Sequence, residues 1–300
     1  MSGIPFVPGE DEPGAGNGTA PRSGGEALLS SNDGEPLTRV AALGGIYSNH
    51  RALQVAIDDA RARGAQAIVS LGDLGAFGPS PDKSAAILKK EGIPVVRGNY
   101  DDSIARGLED CQCGYTDPRD NHYARISYEY TLANTSREHR QWMSGFPRHI
   151  RFRMGTGPDA LEVLAFHGSP RRMNEFLWET TTPTHFLQAM AHDAGADVLL
   201  GTHTGIHWSR RLDGKRWYVN AGALGRPAND GRREVWYALL ELEQGELQPH
   251  FVPVSYDVET LADEMLDEGL PDEFIETIRT GWWTTCLEVL PGKERARGRW

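Results

Sequence analysis

Apolar residues along the chain follow the two periods that separate strands from helices. Residues 38–46 form a run of β-branched and small apolar side chains, the make-up of a buried strand. From Asn49 to Arg63 the spacing turns helical: Leu53, Ala56, Ile57 and Ala60 share one stripe, and Gly64 stops it. Residues 67–71 predict a second strand, 81–90 a helix and 94–97 a third strand. Strands over 161–166 and 197–200 then alternate with helices over 135–145 and 183–194. Further on, Asp213-Gly214 lies between 209–212 and 216–219, and Gln244-Gly245-Glu246 between 234–242 and 247–254; both predict hairpins. Helices are expected over 257–267 and 271–279.

Alternating strands and helices, with polar residues at the strand ends, predict an α/β fold that gathers ligands along that edge. Residues 1–37, rich in Gly, Pro, Ser and Glu, are expected to be a disordered leader, because too little apolar surface offsets the entropy of ordering. The main domain is expected over 38–255, and residues 256–300 as a helical extension with a basic tail from Lys293 to Arg299. Residues 107–131 break the rhythm with Cys, Gly, Pro, Asp, Asn and four Tyr, which predicts a lid-like insertion.

Composition narrows the classes of function. Three hundred residues with 39% hydrophobic and 24% charged content suit a soluble globular chain with a sizeable core. A formal charge of -11 argues against general nucleic-acid or membrane-surface binding, yet leaves room for a small anion held by a local arginine pocket. No run approaches the roughly 20 apolar residues of a membrane span, and no signal-peptide pattern is present. Three cysteines are too few for a disulfide framework, and Cys111-Gln112-Cys113 is an awkward spacing for a bridge. The expectation is a reducing, cytoplasmic setting.

The chemistry sits in the loops that close the strands: Gly72-Asp73, Gly98-Asn99-Tyr100-Asp101, His167-Gly168-Ser169-Pro170 and Gly201-Thr202-His203-Thr204-Gly205. Any one is an ordinary turn. In this order they supply carboxylate, amide and two imidazoles, a donor set that suits Mn²⁺, Fe²⁺ or Zn²⁺.

With 220–227 (Asn-Ala-Gly-Ala-Leu-Gly-Arg-Pro), these segments resemble the calcineurin-like metallophosphoesterase superfamily, in its compact bacterial phosphodiesterase branch, over roughly 38–255. The resemblance implies a four-layer αββα sandwich of two mixed sheets. It also implies a metal site at Asp73, Asn99, His167 and His203. The family's other ion takes ligands that fall on Gly45, Tyr47 and Gly205, and all three are lost. The expectation is therefore one ion per chain, with Gly45 and Gly205 leaving space where the other sat. The family's leaving-group acid falls on Tyr100, beside Asp101, and these two are the expected catalytic residues.

Arg171 and Arg172, close behind His167, and Arg226 are candidates to bind phosphate, since guanidinium forks match its oxygens. His50 and His207 are candidate substitute ligands, and His122 a candidate proton donor. Cys111 and Cys113 are read as a soft-metal pair or as incidental thiols, and Trp282-Trp283 as core or interface packing. Two functions follow: a metal-dependent hydrolase of a small phosphodiester or phosphomonoester, or a non-catalytic binding or scaffold protein on the same fold. Retained ligands favour the first and the lost ion the second.

Overall fold

The computed structural model describes residues 26–29 and 35–298. Strands β1 (Glu26–Leu28), β4 (His149–Met154), β5 (Leu161–Ala165), β6 (Val198–Gly201), β7 (His207–Asp213) and β8 (Arg216–Ala221) build one sheet, in the order β1-β4-β5-β6-β8-β7. Strands β2 (Arg39–Leu43), β3 (Ala67–Ser70), β9 (Val235–Glu243) and β10 (Glu246–Val254) build the other, in the order β10-β9-β2-β3. Parallel and antiparallel pairs occur in both, and both expected hairpins form, β7 with β8 and β9 with β10.

Side-chain alternation explains the layers. Val40, Ala42, Val163, Ala165, Val198 and Leu200 point into one buried cluster between the sheets. Their neighbours Ala41 and Leu43 face a second cluster with Leu53, Ala56, Ile57 and Ala60 of helix α1 (His50–Ala62). Leu164 and Leu199 face a third, with Leu187 and Met190 of α6 (Thr184–Asp193). Two sheets, each hydrophobic on both faces and each covered by helices, make the αββα sandwich. Helices α2 (Pro81–Lys90), α3 (Asn99–Arg106), α4 (Pro118–Asn134) and α5 (Arg137–Ser144) complete one outer layer. Helices α7 (Val258–Asp267) and α8 (Asp272–Thr280) pair through a small core of their own.

Several expectations change. Part of the expected leader is structured: β1 pairs in parallel with β4, and Leu37 is buried between the sheets; residues 1–25 and 30–34 lie outside the described residues. Residues 94–97 contribute only a bridge between Ser70 and Val95. Most of the insertion is α4, begun by Asp117, whose side chain accepts N–H groups of Arg119 and Asp120. Cys111 and Cys113 are joined by a disulfide, with Gln112 turned into the left-handed region at φ 57° between them. Part of the expected basic tail is helix α9 (Gly292–Arg297), and the buried Glu294 carboxylate accepts the Thr180 N–H and hydroxyl.

Candidate metal centre

The ends of β3, β5 and β6 deliver three side chains to one point. Ligand atoms of Asp73, His167 and His203 all lie within 4.8 Å of one another. Asp73 Oδ2 is 3.2 Å from His167 Nε2, and that nitrogen is 3.1 Å from His203 Nδ1. Donors bound to one ion at about 2.0–2.2 Å are separated from each other by about 3 Å, so the spacing already suits a single cation.

The neighbours set each donor. His167 Nδ1 is 2.6 Å from the Leu71 carbonyl, so it carries the proton and leaves the Nε2 lone pair for a metal. Asp73 Oδ1 accepts the Tyr100 N–H at 3.0 Å, and the missing side chain of Gly98 makes room for that carboxylate. Asn99 Nδ2 donates to the Cys111 carbonyl at 2.7 Å, while its Oδ1 is buried without a partner. His203 Nε2 is buried without a partner as well. An unpaired buried carbonyl is costly unless something unseen satisfies it, and a cation would do so. The donor set and the orphaned oxygen fit a divalent ion.

The electrostatics separate the two imidazoles, and an ion would have to displace the second proton that the Asp73 charge favours on His167 Nε2. Burial alone would push His167 down, but the Asp73 carboxylate holds it above its ordinary range. Burial, then the neighbouring His167, drives His203 down to about 3, which keeps that imidazole neutral and able to ligate. Burial would raise Asp73, but His167 and His203 hold it low.

Tyr100, expected as the leaving-group acid, and Asp101, expected beside it as a catalytic residue, are turned to structural partners. The Tyr100 phenol donates to Ser127 Oγ at 3.0 Å and packs edge-on against Tyr128, and burial raises it well above an ordinary phenol. The Asp101 carboxylate accepts the N–H groups of Asp73, Leu74 and Gly98, at 2.9, 3.0 and 2.9 Å, tying the two loops together. Burial and then the Asp73 charge raise Asp101 to about 6.

The arginines divide. Arg171 and Arg172 are exposed; the Arg171 guanidinium pairs with Glu175 and covers the Phe186 ring, and Arg172 meets Ser169 through its backbone. Arg226 is buried beside Tyr47, between the rings of Phe77 and Trp283. The substitute ligands are elsewhere: His50 faces Glu264, and His207 lies between Trp236 and Phe251. His122 is exposed on α4.

The region of the lost ligands is filled, which corrects the expected vacancy. A Cβ built on Gly45 would meet Tyr47 Cε1 at 2.6 Å, and one on Gly205 would meet Trp283 Cη2 at 2.9 Å. Two aromatic rings occupy the place of the absent side chains. Residues 281–290 carry Trp283 across this side and hang on Asp120, whose carboxylate accepts the N–H groups of Cys286 and Glu288, both at 2.7 Å. Glu288 in turn accepts the N–H groups of Thr116 and Asp117. Trp283 belongs to the site, and its separation from Gly205 in the chain hides that from any local motif.

Residues 39–245 match the family model described as the calcineurin-like phosphoesterase superfamily domain. The chain belongs to that superfamily, whose members are metal-dependent hydrolases. It is 21% identical over 256 residues to an uncharacterized protein of Methanocaldococcus jannaschii, covering 81% of this chain and 98% of that protein. The fold is shared with a metallophosphoesterase from Sphaerobacter thermophilus, at 23% identity and a TM-score of 0.61, over 82% of this chain and 99% of that one. A hypothetical protein from Pyrococcus horikoshii OT3 shares it too, at 22% identity and a TM-score of 0.67, over the same 82% and 99%. At such identities the likeness concerns the fold.

Proposed function

We propose that this chain hydrolyses a small phosphodiester or phosphomonoester at a mononuclear centre in which Asp73, Asn99, His167 and His203 hold one divalent ion, Mn²⁺, Fe²⁺ or Zn²⁺. The observation that carries the reading is the cluster of Asp73, His167 and His203 donors within 4.8 Å of one another, supported by the unpartnered buried Oδ1 of Asn99, the residue before the Tyr100 whose N–H bonds Asp73. When bound, such an ion polarises a phosphoryl oxygen and lowers the pKa of a bound water.

The protein's own groups position the rest. The Leu71 carbonyl fixes the His167 tautomer, and Asp101 locks the Asp73 loop to the Asn99 helix. Tyr100 contributes its backbone N–H to Asp73, and its phenol stays with Ser127. Of the three arginines, Arg226 is the one that faces the centre's neighbours, so it is assigned to the substrate, and Arg171 and Arg172 are not.

The test is hydrolysis of bis-p-nitrophenyl phosphate with Mn²⁺. Slow turnover is expected, and His167→Ala should abolish it; turnover that survives His167→Ala would belong to a contaminant. Tyr100→Phe should leave the dependence on leaving-group basicity unaltered, because the phenol is not aimed at a leaving group. A second reading, a binding or scaffold protein on the same fold, is favoured by the closed state of the site, since Asp73, His167 and His203 are only 3%, 1% and 8% exposed. Metal uptake without turnover across monoesters and diesters would decide for it. Neither reading involves a membrane span: no helix among the described residues is long and apolar enough to cross a bilayer.

A further inference from the structure

Arg226 is 5% exposed, and among the described residues no carboxylate pairs with it. Its guanidinium carbon lies 4.6 Å from the Phe77 ring centre and 4.2 Å from that of Trp283, and one nitrogen donates to the Thr285 carbonyl at 2.9 Å. Two ring faces and a neutral carbonyl compensate a desolvated cation only in part. The arrangement lacks an anion.

The rings say where that anion belongs. Trp283 is the ring that lies on Gly205, and Tyr47, which lies on Gly45, lines the same narrow cleft as Arg226. The guanidinium therefore packs on one plug of the region whose ion ligands are missing and shares a cleft with the other. Tyr47 leads back to the centre, since its N–H donates to the Asp73 carbonyl at 3.1 Å.

We propose that Arg226 is an anion subsite for the phosphoryl group and supplies the positive charge that a second ion would have carried. The identity of its ligand as a phosphate ester rests on the phosphoesterase reading; the need for an anion does not. A planar fork of N–H donors matches two oxygens of one phosphoryl group. The cleft beside Arg226 offers about 10 Å³, room for about one water. Phosphate therefore enters only when residues 281–290 lift Trp283 away and the guanidinium exchanges the Thr285 carbonyl for a phosphate oxygen.

The test is calorimetric titration of inorganic phosphate into the full chain, metal-free and Mn²⁺-loaded, for the unaltered protein, Arg226→Lys and Arg226→Gln. The metal-free chain should bind phosphate, Arg226→Gln should weaken it by at least about tenfold, the loss of one charge-assisted contact, and Arg226→Lys should fall between. If Arg226→Gln does not fold, phenylglyoxal modification of the unaltered chain replaces it, and phosphate should protect Arg226 as read by mass spectrometry. Equal phosphate affinity in Arg226→Gln, no phosphate binding to the metal-free chain, or no protection would each overturn the proposal. Failure of the phosphoesterase reading would look different: phosphate would bind through Arg226, yet no ester would turn over with any metal.

Discussion

The phenol ring of Tyr47 lies on Gly45, so close that a Cβ on the glycine would come within 2.6 Å of a ring carbon. The two residues form a matched pair in which the ring takes the volume an acidic side chain would need. Gly45→Asp alone should therefore overpack the site and lower stability by about 1–3 kcal/mol. Tyr47→Ala in the same chain should relieve part of that loss. Thermal melts of both single variants and the double variant should give a coupling of at least about 0.5 kcal/mol; additive effects would mean the ring does not guard the glycine.

Asp101 holds three backbone N–H groups with one carboxylate. Asn in its place offers a single acceptor oxygen and turns an amide toward donors. Asp101→Asn should cost about 1–3 kcal/mol in denaturant midpoint and weaken metal uptake by roughly 10- to 100-fold, because the Asp73 loop loses its anchor. Normal metal affinity in a folded Asp101→Asn would show that the loop holds its shape without it.

Burial between Trp236 and Phe251 pushes His207 down to about 4, with the Asp230 charge acting weakly against it. The unfolded chain takes up this proton near pH 6.5 and the folded chain only near 4. Stability is therefore present above the unfolded value and lost as pH falls through that window, by up to roughly 3 kcal/mol. His207→Phe should flatten this part of the curve, read as urea midpoints from pH 7 to 4.5. An unaltered pH slope would place His207 in water.

Residues 281–290 hang on Asp120, through the N–H groups of Cys286 and Glu288. Asp120→Ala should free the strap while leaving both sheets intact. Hydrogen exchange at Cys286 and Glu288 should accelerate by about tenfold or more, in line with roughly 1–3 kcal/mol for acceptors withdrawn from two donors, with β5 and β6 unaffected. Equal protection would mean that the strap's other anchors suffice: Glu288 with Thr116 and Asp117, Arg226 on the Thr285 carbonyl, and Trp283 on Asn229 and Pro227.

Much of this architecture is legible in the chain. The α1 stripe, both hairpins and the four polar loops stand where local periodicity and turn chemistry put them. The alternation of Ile150, Phe152 and Met154 also marks β4, since all three face the core between the sheets. What periodicity cannot carry is placement by distant partners. Strand β1 is three residues at a sheet edge, too short for a pattern. Residues 281–290 contain no regular element beyond turns, so nothing local shows that Trp283 reaches Gly205. Ligand loss at Gly45 and Gly205 is visible in the sequence, but the filling of the space is a property of packing. Tyr100 and Asp101 show the same limit from the other side: their loop is readable as functional, while the direction of each side chain is decided by Ser127 and by three backbone donors.

A centre built for one ion is tested most directly by elemental analysis of protein purified without chelator. One divalent ion per chain is expected, lost in Asp73→Ala and in His203→Ala and weakened in Asn99→Ala, because these are its proposed ligands. Two ions per chain at full occupancy would contradict the account, since Tyr47 and Trp283 would then have to leave the places in which they stand.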